Sequence, residues 1–297
     1  VANHPQKHIP IQVQHQTEEH WDLIIGPKNR LLDLQLREVW RYRDLLLLFV
    51  KRDFVAQYKQ TILGPLWHFI NPIFTTLTYM LIFGNIAKLS TDGTPQTVFY
   101  MSGITIWNFF SQTLTGTGNT FIANAGIFGK VYFPRLISPL STVASRMIQF
   151  GIQLLLLLSF VMYFKSAGLL PHMQWFNLLY LPAIALVMGG FGLGLGIIIS
   201  AFTTKYRDLN VLVGFSVNLL MYATPVIYPL SAVPERYKPY LAWNPLSPLI
   251  EFFRFMFTGT GTFSAGSLAY SAGMMVLLLF LGMLQFNRVE KTFMDTV

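Results

Sequence analysis

Glu251 and Arg254 lie three residues apart in the apolar stretch LIEFFRFMF, an acid and a base at helical spacing. Such a pair meets on one face of a helix and reads as a structural ion pair rather than a catalytic couple. Gly129-Lys130-Val131 comes nearest to a nucleotide-binding loop. That loop needs a Gly five residues earlier, so that backbone N–H groups cradle phosphate, and a Ser or Thr hydroxyl after the Lys for the metal. Asn124 and Val131 occupy those positions, so the chain does not hold ATP in that way. His4, His8, His15 and His20 are loosely spread with no carboxylate cluster to complete a metal set, and read as part of a solvated extension. Cysteine is absent, which removes disulfides and thiolate metal sites. No His-Glu-x-x-His, Gly-x-Ser-x-Gly or paired-carboxylate arrangement occurs. No catalytic, cofactor-binding or metal-ligating residue is expected.

The elements that carry these residues are membrane elements. Of 297 residues, 53% are hydrophobic and only 11% charged, against about 25% charged in a soluble domain. The formal net charge of +8 invites a nucleic-acid reading, but the positions argue otherwise: nine of the 21 Lys and Arg precede residue 60, and most others fall in short loops. That is the signature of membrane topology. Residues 1–20 are polar and do not read as a cleavable signal peptide, so the first span is expected to act as its own insertion signal.

KRDFVAQYKQTILGPLWHFINP at 51–72 is the point where the chain passes from water into lipid. Lys51, Arg52 and Lys59 hold one end in water, and no charged residue follows from Thr61 to Ala87. The pattern gives an all-α integral membrane protein with six spans, at 62–87, 98–122, 142–164, 176–201, 209–228 and 267–286. Segments 1–61, 123–141, 202–208 and 287–297 hold Lys130, Arg135, Lys205, Arg207, Arg288 and Lys291 besides the nine basic residues at the start. The opposite loops hold Lys88, Lys165, Arg236, Lys238 and Arg254. This bias puts both termini in the cytoplasm. Arg146, just inside the third span, is placed to snorkel.

Three domains are expected: a polar extension over 1–30, amphipathic interface helices over 31–60, and a transmembrane domain over 61–297. In the second, Leu32, Leu36, Val39, Trp40 and Arg43 follow one helical stripe, while Asp33, Arg37, Arg41 and Asp44 share the other side. This segment either anchors at the lipid surface or docks a cytosolic partner through Arg37 and Arg41. The second span is polar, and its Ser, Thr, Asn and Gln either join helices or line a polar path. In the fourth span Gly190 and Gly194, then Gly192 and Gly196, form two interleaved GxxxG pairs that imply close helix approach. Between spans five and six, residues 229–266 carry Trp243, Asn244 and Pro245 among apolar runs. Two short re-entrant helices forming an external gate, or a simple interfacial loop, fit that pattern.

No expected span holds an acidic residue, which argues against a proton- or sodium-coupled carrier. A passage with no energy source of its own needs a partner ATPase. The connection 124–140, NAGIFGKVYFPRLISPL, suits the docking of one: it is short, aromatic at Phe128, Tyr132 and Phe133, and basic at Lys130 and Arg135.

TILGPLWHFINP at 61–72, GKVYFPRLISP at 129–139, KYRDLN at 205–210 and AWNPLSPLIEFFR at 242–254 resemble, in this order, the membrane subunits of type-2 ABC exporters of lipid-linked polysaccharide. These serve O-antigen, capsule or teichoic acid export, and the long front segment is more similar to the O-antigen members. The resemblance covers about residues 30–297. It implies a bacterial inner-membrane homodimer with two ATPase subunits, which bind the ATP and Mg that this chain does not. It implies that the 31–60 helices and the 124–140 connection meet the ATPase, and that 229–266 forms re-entrant helices near the external exit. Polysaccharide would pass between the two copies, with sugar faces stacking on rings such as Tyr79, Trp107, Phe110, Tyr222 and Tyr228. Each of these rings read alone fits packing or a bilayer-boundary anchor better than a place on the path. An ABC exporter of a drug or lipid is the near alternative, and an ATP-independent channel is the alternative of a different class.

Overall fold

The computed structural model describes residues 36–296 apart from Gly129, Lys205 and Arg207. The extension expected over 1–30 and the start of the 31–60 segment lie outside the described residues. Among the described residues all regular structure is helical.

The chain opens with α1 (Leu36–Arg41) and α2 (Arg43–Tyr58), separated at Tyr42, where the backbone leaves helical geometry. Helix α3 covers Gly64–Ile86, beginning in a 3₁₀ turn at Pro65 and widening to π geometry from Met80. Then come α4 (Gln96–Gly118), α5 (Thr120–Phe128) and α6 (Ile137–Ser166). Helix α7 (Leu181–Thr203) is led in by a 3₁₀ segment from Trp175, and α8 (Leu209–Tyr222) follows. Two short helices, α9 (Lys238–Trp243) and α10 (Ser247–Thr258), precede α11 (Ala265–Thr296).

The expectation of six spans is corrected. Among the described residues four helices are long and apolar enough to cross a membrane: Gly64–Ile86, Ile137–Ser166, Trp175–Thr203 and Ala265–Arg288. The expected second span is a helix, α4, but its Ser, Thr, Asn and Gln make it too polar to join them. The expected fifth span ends at Tyr222, and α8 has 14 residues. At 1.5 Å per residue it reaches about 21 Å, short of a hydrocarbon core of about 30 Å. The re-entrant pair is corrected as well. Helix α9 is six residues long with no buried side chain, whereas α10 is buried in protein along almost its whole length. Two matched helices dipping into lipid would look alike, and these do not.

The polar α4 is the axis of the packing. Sixteen of its residues are buried, so its surroundings are helices rather than lipid. Three of its hydroxyls are satisfied along its own backbone: Ser102 Oγ donates to the Phe99 carbonyl (2.9 Å), Ser111 Oγ to that of Asn108 (3.3 Å) and Thr115 Oγ1 to that of Ser111 (2.8 Å), while the hydroxyls of Tyr100, Thr105, Thr113 and Thr117 are buried without a partner among the described residues. Intrahelical bonds of this kind let a polar sequence sit inside an apolar bundle. Phe99, Tyr100, Ile106 and Phe110 of α4 form the main core with Phe253 and Phe257 of α10, Met188 and Phe191 of α7, and Leu157 of α6.

The two GxxxG pairs of α7 face different neighbours. A Cβ on Gly192 would lie 2.7 Å from Thr113 Cβ, and one on Gly196 2.5 Å from Thr117 Cβ, so this pair seats α4. A Cβ on Gly190 would meet Met275 Sδ at 2.6 Å, and one on Gly194 the Leu278 carbonyl carbon at 3.0 Å, so the other pair seats α11. Interleaving lets one helix approach two partners at backbone distance, where dispersion and short polar contacts are strongest.

Candidate functional site

Arg37 and Arg41 are exposed on α1. Trp40, expected on the apolar stripe, is 71% exposed, with the Arg43 guanidinium 5.6 Å from its ring. The apolar side of α1–α2 is instead Val39, Tyr42, Leu45, Leu46 and Phe49, which pack on a second core with Phe121, Phe128, Phe133, Ile197 and Phe286. Phe49 meets Phe133 edge-on at 5.5 Å, and Phe133 lies 5.5 Å from Phe128. The connection after α5 is thereby nailed down by two buried rings. Lys130, Val131 and Tyr132 stand out from it, all exposed, while Arg135 lies half-buried with its guanidinium 5.9 Å from the Phe128 ring. The structure therefore brings the interface helices and the connection onto one aromatic foundation. Phe128 is part of that foundation and not of the exposed tip.

The five candidate rings of the path divide. Trp107 and Phe110 are buried, 5.3 Å apart, inside the main core. Tyr79 is half-buried against Phe83 and Tyr100, and its hydroxyl reaches Met221 Sδ at 3.5 Å. Tyr222, at the end of α8, is 55% exposed, and Tyr228 Oη donates to its carbonyl at 3.0 Å. Tyr79, Tyr222 and Tyr228 thus gather around the C-terminal end of α8, and the other two do not join them.

Trp243, Asn244 and Pro245 bracket two long elements. Asn244 Nδ2 donates to the Ala223 carbonyl (3.1 Å) and to Thr224 Oγ1 (2.9 Å), just past α8. Its Oδ1 accepts from the Leu246 N–H at 3.0 Å, turning the chain into α10. Tyr270 Oη donates to the Trp243 carbonyl (3.0 Å), and Ser271 Oγ to that of Pro245 (2.7 Å), tying in α11. The Trp243 ring itself is 83% exposed.

In the sequence Glu251 and Arg254 show only a helical spacing, and in the fold they form a hub. Both are 2% exposed. Arg254 Nη1 donates to Glu251 Oε1 at 2.9 Å, and Nη2 to the carbonyls of Pro225 (2.9 Å) and Val226 (3.1 Å). The guanidinium carbon lies 3.9 Å from the Phe99 ring centre. Glu251 also accepts from the N–H groups of Leu230 (3.2 Å) and Thr262 (3.4 Å). Burial pushes the Glu251 carboxyl up from the ordinary carboxylate range, while Arg254 and those two N–H groups pull it back. Gly103 makes the arrangement possible, since a Cβ there would lie 2.6 Å from the Val226 oxygen. The partners come from α4, the segment after α8 and the loop before α11, and no single stretch of sequence displays that convergence.

Among the described residues no cluster of His, Asp or Glu suits a metal ion. Four long apolar helices and a polar central helix define an α-helical integral membrane protein. The model of the ABC-2 type transporter family matches residues 44–258, and the chain belongs to that family as a non-catalytic transport subunit. It is 30% identical over 253 residues to an O-antigen export system permease protein RfbA of Klebsiella pneumoniae, covering 85% of this chain and 94% of that protein. It is 29% identical over 266 residues to RfbA of Myxococcus xanthus, covering 88% and 98%. It is 25% identical over 254 residues to the polysialic acid transport protein KpsM of Escherichia coli, covering 82% and 93%.

Proposed function

We propose that this chain is the inner-membrane subunit of an ATP-driven exporter of lipid-linked polysaccharide, with O-antigen as the cargo. The observation that carries this reading is likeness along almost the whole length of O-antigen export permeases, at higher identity than to the polysialic acid transport protein. Two copies form the passage, and two ATPase subunits bind ATP and Mg. The exposed Arg37 and Arg41 of α1, with Lys130, Tyr132 and Arg135 of the connection, form the surface that meets the ATPase, and Phe128 supports it from beneath. Buried rings under an exposed basic tip favour this role, because a docking lever must be stiff to transmit force. Both termini face the cytoplasm, in keeping with the basic residues before residue 60 and at Arg288 and Lys291. Tyr79, Tyr222 and Tyr228 are the rings best placed to meet sugar, and Trp243 to Pro245 restrain the end of α8 beside them.

Deleting the gene tests this reading. Lipid-linked glycan should accumulate inside the cell while surface glycan is lost. Normal surface glycan in a clean deletion contradicts it, and loss of capsule with intact O-antigen moves the cargo to capsule.

A further inference from the structure

A second arginine cluster lies at the other end of α4, roughly 20 Å along its axis from the Glu251–Arg254 hub. Here α2, α4, α5 and α6 line a polar cavity of about 410 Å³, open at a rim where Gln57, Asn119 and Ala123 are exposed, with room for many waters. Arg146 of α6 reaches into it. Its Nη1 donates to Gln149 Oε1 at 2.9 Å, and Gln149 Nε2 donates to Gln57 Oε1 of α2 at 2.5 Å. Gly116 opens the wall at this point, since even a Cβ there would sit 3.7 Å from Arg146 Nε and 2.8 Å from Thr142 Cγ2.

The charges do not cancel. Arg52 spends its guanidinium on Asp53 Oδ1 (2.9 and 2.7 Å) and on Asn124 Oδ1 (2.9 Å). Arg146 hydrogen-bonds to a neutral glutamine and only shares the Asp53 charge, which Arg52 bonds directly, so the cavity with its two arginines and one aspartate is left with one excess positive charge. Three buried polar atoms on lining residues also have no partner: Arg146 Nε, Ser145 Oγ and Thr120 Oγ1. Each such atom costs about 1–3 kcal/mol while unsatisfied, and all three can donate to an acceptor.

A cavity with surplus positive charge, and with three unpartnered donors buried among its lining residues, matches a multivalent anion that only accepts hydrogen bonds. We propose that this cavity is a binding site for a phosphate-type oxyanion, held by Arg146 with the hydroxyls of Ser145 and Thr120. The oxyanion is either the phosphate of a lipid headgroup reaching in from the bilayer or a free phosphate from solution. Geometry and charge define this site independently of the cargo proposed above.

The full chain is reconstituted in nanodiscs of zwitterionic lipid, and thermal unfolding is followed while inorganic phosphate or pyrophosphate is added at constant ionic strength. A parallel set of discs contains phosphatidylglycerol. A saturable rise in Tm with the soluble anions identifies a free-anion site, and a rise with phosphatidylglycerol alone identifies a headgroup site. Either supports the assignment, provided Arg146→Gln weakens the response about tenfold or more, as the loss of a charge-assisted hydrogen bond requires. Ser145→Ala, which removes only a hydroxyl and keeps the fold testable, should weaken it about threefold. No saturable shift with any of the three probes, an equal shift with chloride, or a response unchanged in both variants overturns the proposal.

Discussion

Arg254 and Arg146 are both arginines set between helices against α4, yet they do opposite things. Arg254 is closed in: a carboxylate, two carbonyls and an aromatic face surround it. Arg146 is left open, with one amide oxygen and a cavity before it. A buried charge that meets a complementary charge becomes part of the scaffold, whereas one that meets space keeps its capacity to bind. The same residue type thus locks one end of the central helix and leaves the other end receptive.

The largest effect should come from opening the locked end. Glu251→Ala strands the Arg254 charge in a dry site, and losing one member of a buried pair costs about 3–5 kcal/mol. A large fall in Tm of the purified protein, or loss of folded material, is expected. A Tm near wild type would show that water reaches Arg254 and that the two ends are alike. Next, Gly196→Leu forces a side chain where even a Cβ would lie 2.5 Å from Thr117. Overpacking of this kind costs about 1–3 kcal/mol, and Gly126→Leu, where a Cβ meets nothing within 4 Å, should be far milder in the same melting assay.

Asn244→Ala removes two side-chain donors and the turn acceptor, and a loss of about 1–2 kcal/mol is expected. Its signature is faster hydrogen exchange at the C-terminal end of α8, with α2 unchanged. Arg146→Gln should move stability least, by under about 1 kcal/mol, because no carboxylate is stranded when it goes. If Arg146→Gln unfolds the protein as Glu251→Ala does, both arginines are scaffold and the comparison fails.

The sequence carried the membrane character, the helical class and the GxxxG contacts, because each depends on composition or on local spacing. Gly190, Gly192, Gly194 and Gly196 could be read as close-approach positions, but not that alternate pairs serve α4 and α11. The span count went astray at two places for physical reasons. Polar α4 has the length of a span, but its Ser, Thr, Asn and Gln leave it less apolar than the four long helices, and it is surrounded by other helices. Helix α8 stops at Tyr222, where a run read by composition continues through Ala223-Thr224-Pro225. Of the candidate site residues, Phe128, Trp107 and Phe110 sit in cores, since an aromatic ring in sequence does not disclose which way it turns. The Arg254 hub and the Arg146 cavity rest on pairings such as Arg254 with Val226, 28 residues apart, and Gln149 with Gln57, 92 apart, and neither is legible beyond a single spacing or a single basic residue.

Charge reversal at Lys130 and Arg135 tests the proposed lever: ATPase co-purification should fall while the melting temperature holds. The account as a whole rests on a division of labour between a passage and a separate source of energy. The most direct measurement is ATP-dependent glycan movement in vesicles containing this chain with and without its ATPase partner. The account predicts no ATP hydrolysis and no transport by the chain alone, and ATP-dependent transport once the partner is added. ATP hydrolysis by the chain alone, or transport that proceeds without the partner, would contradict it.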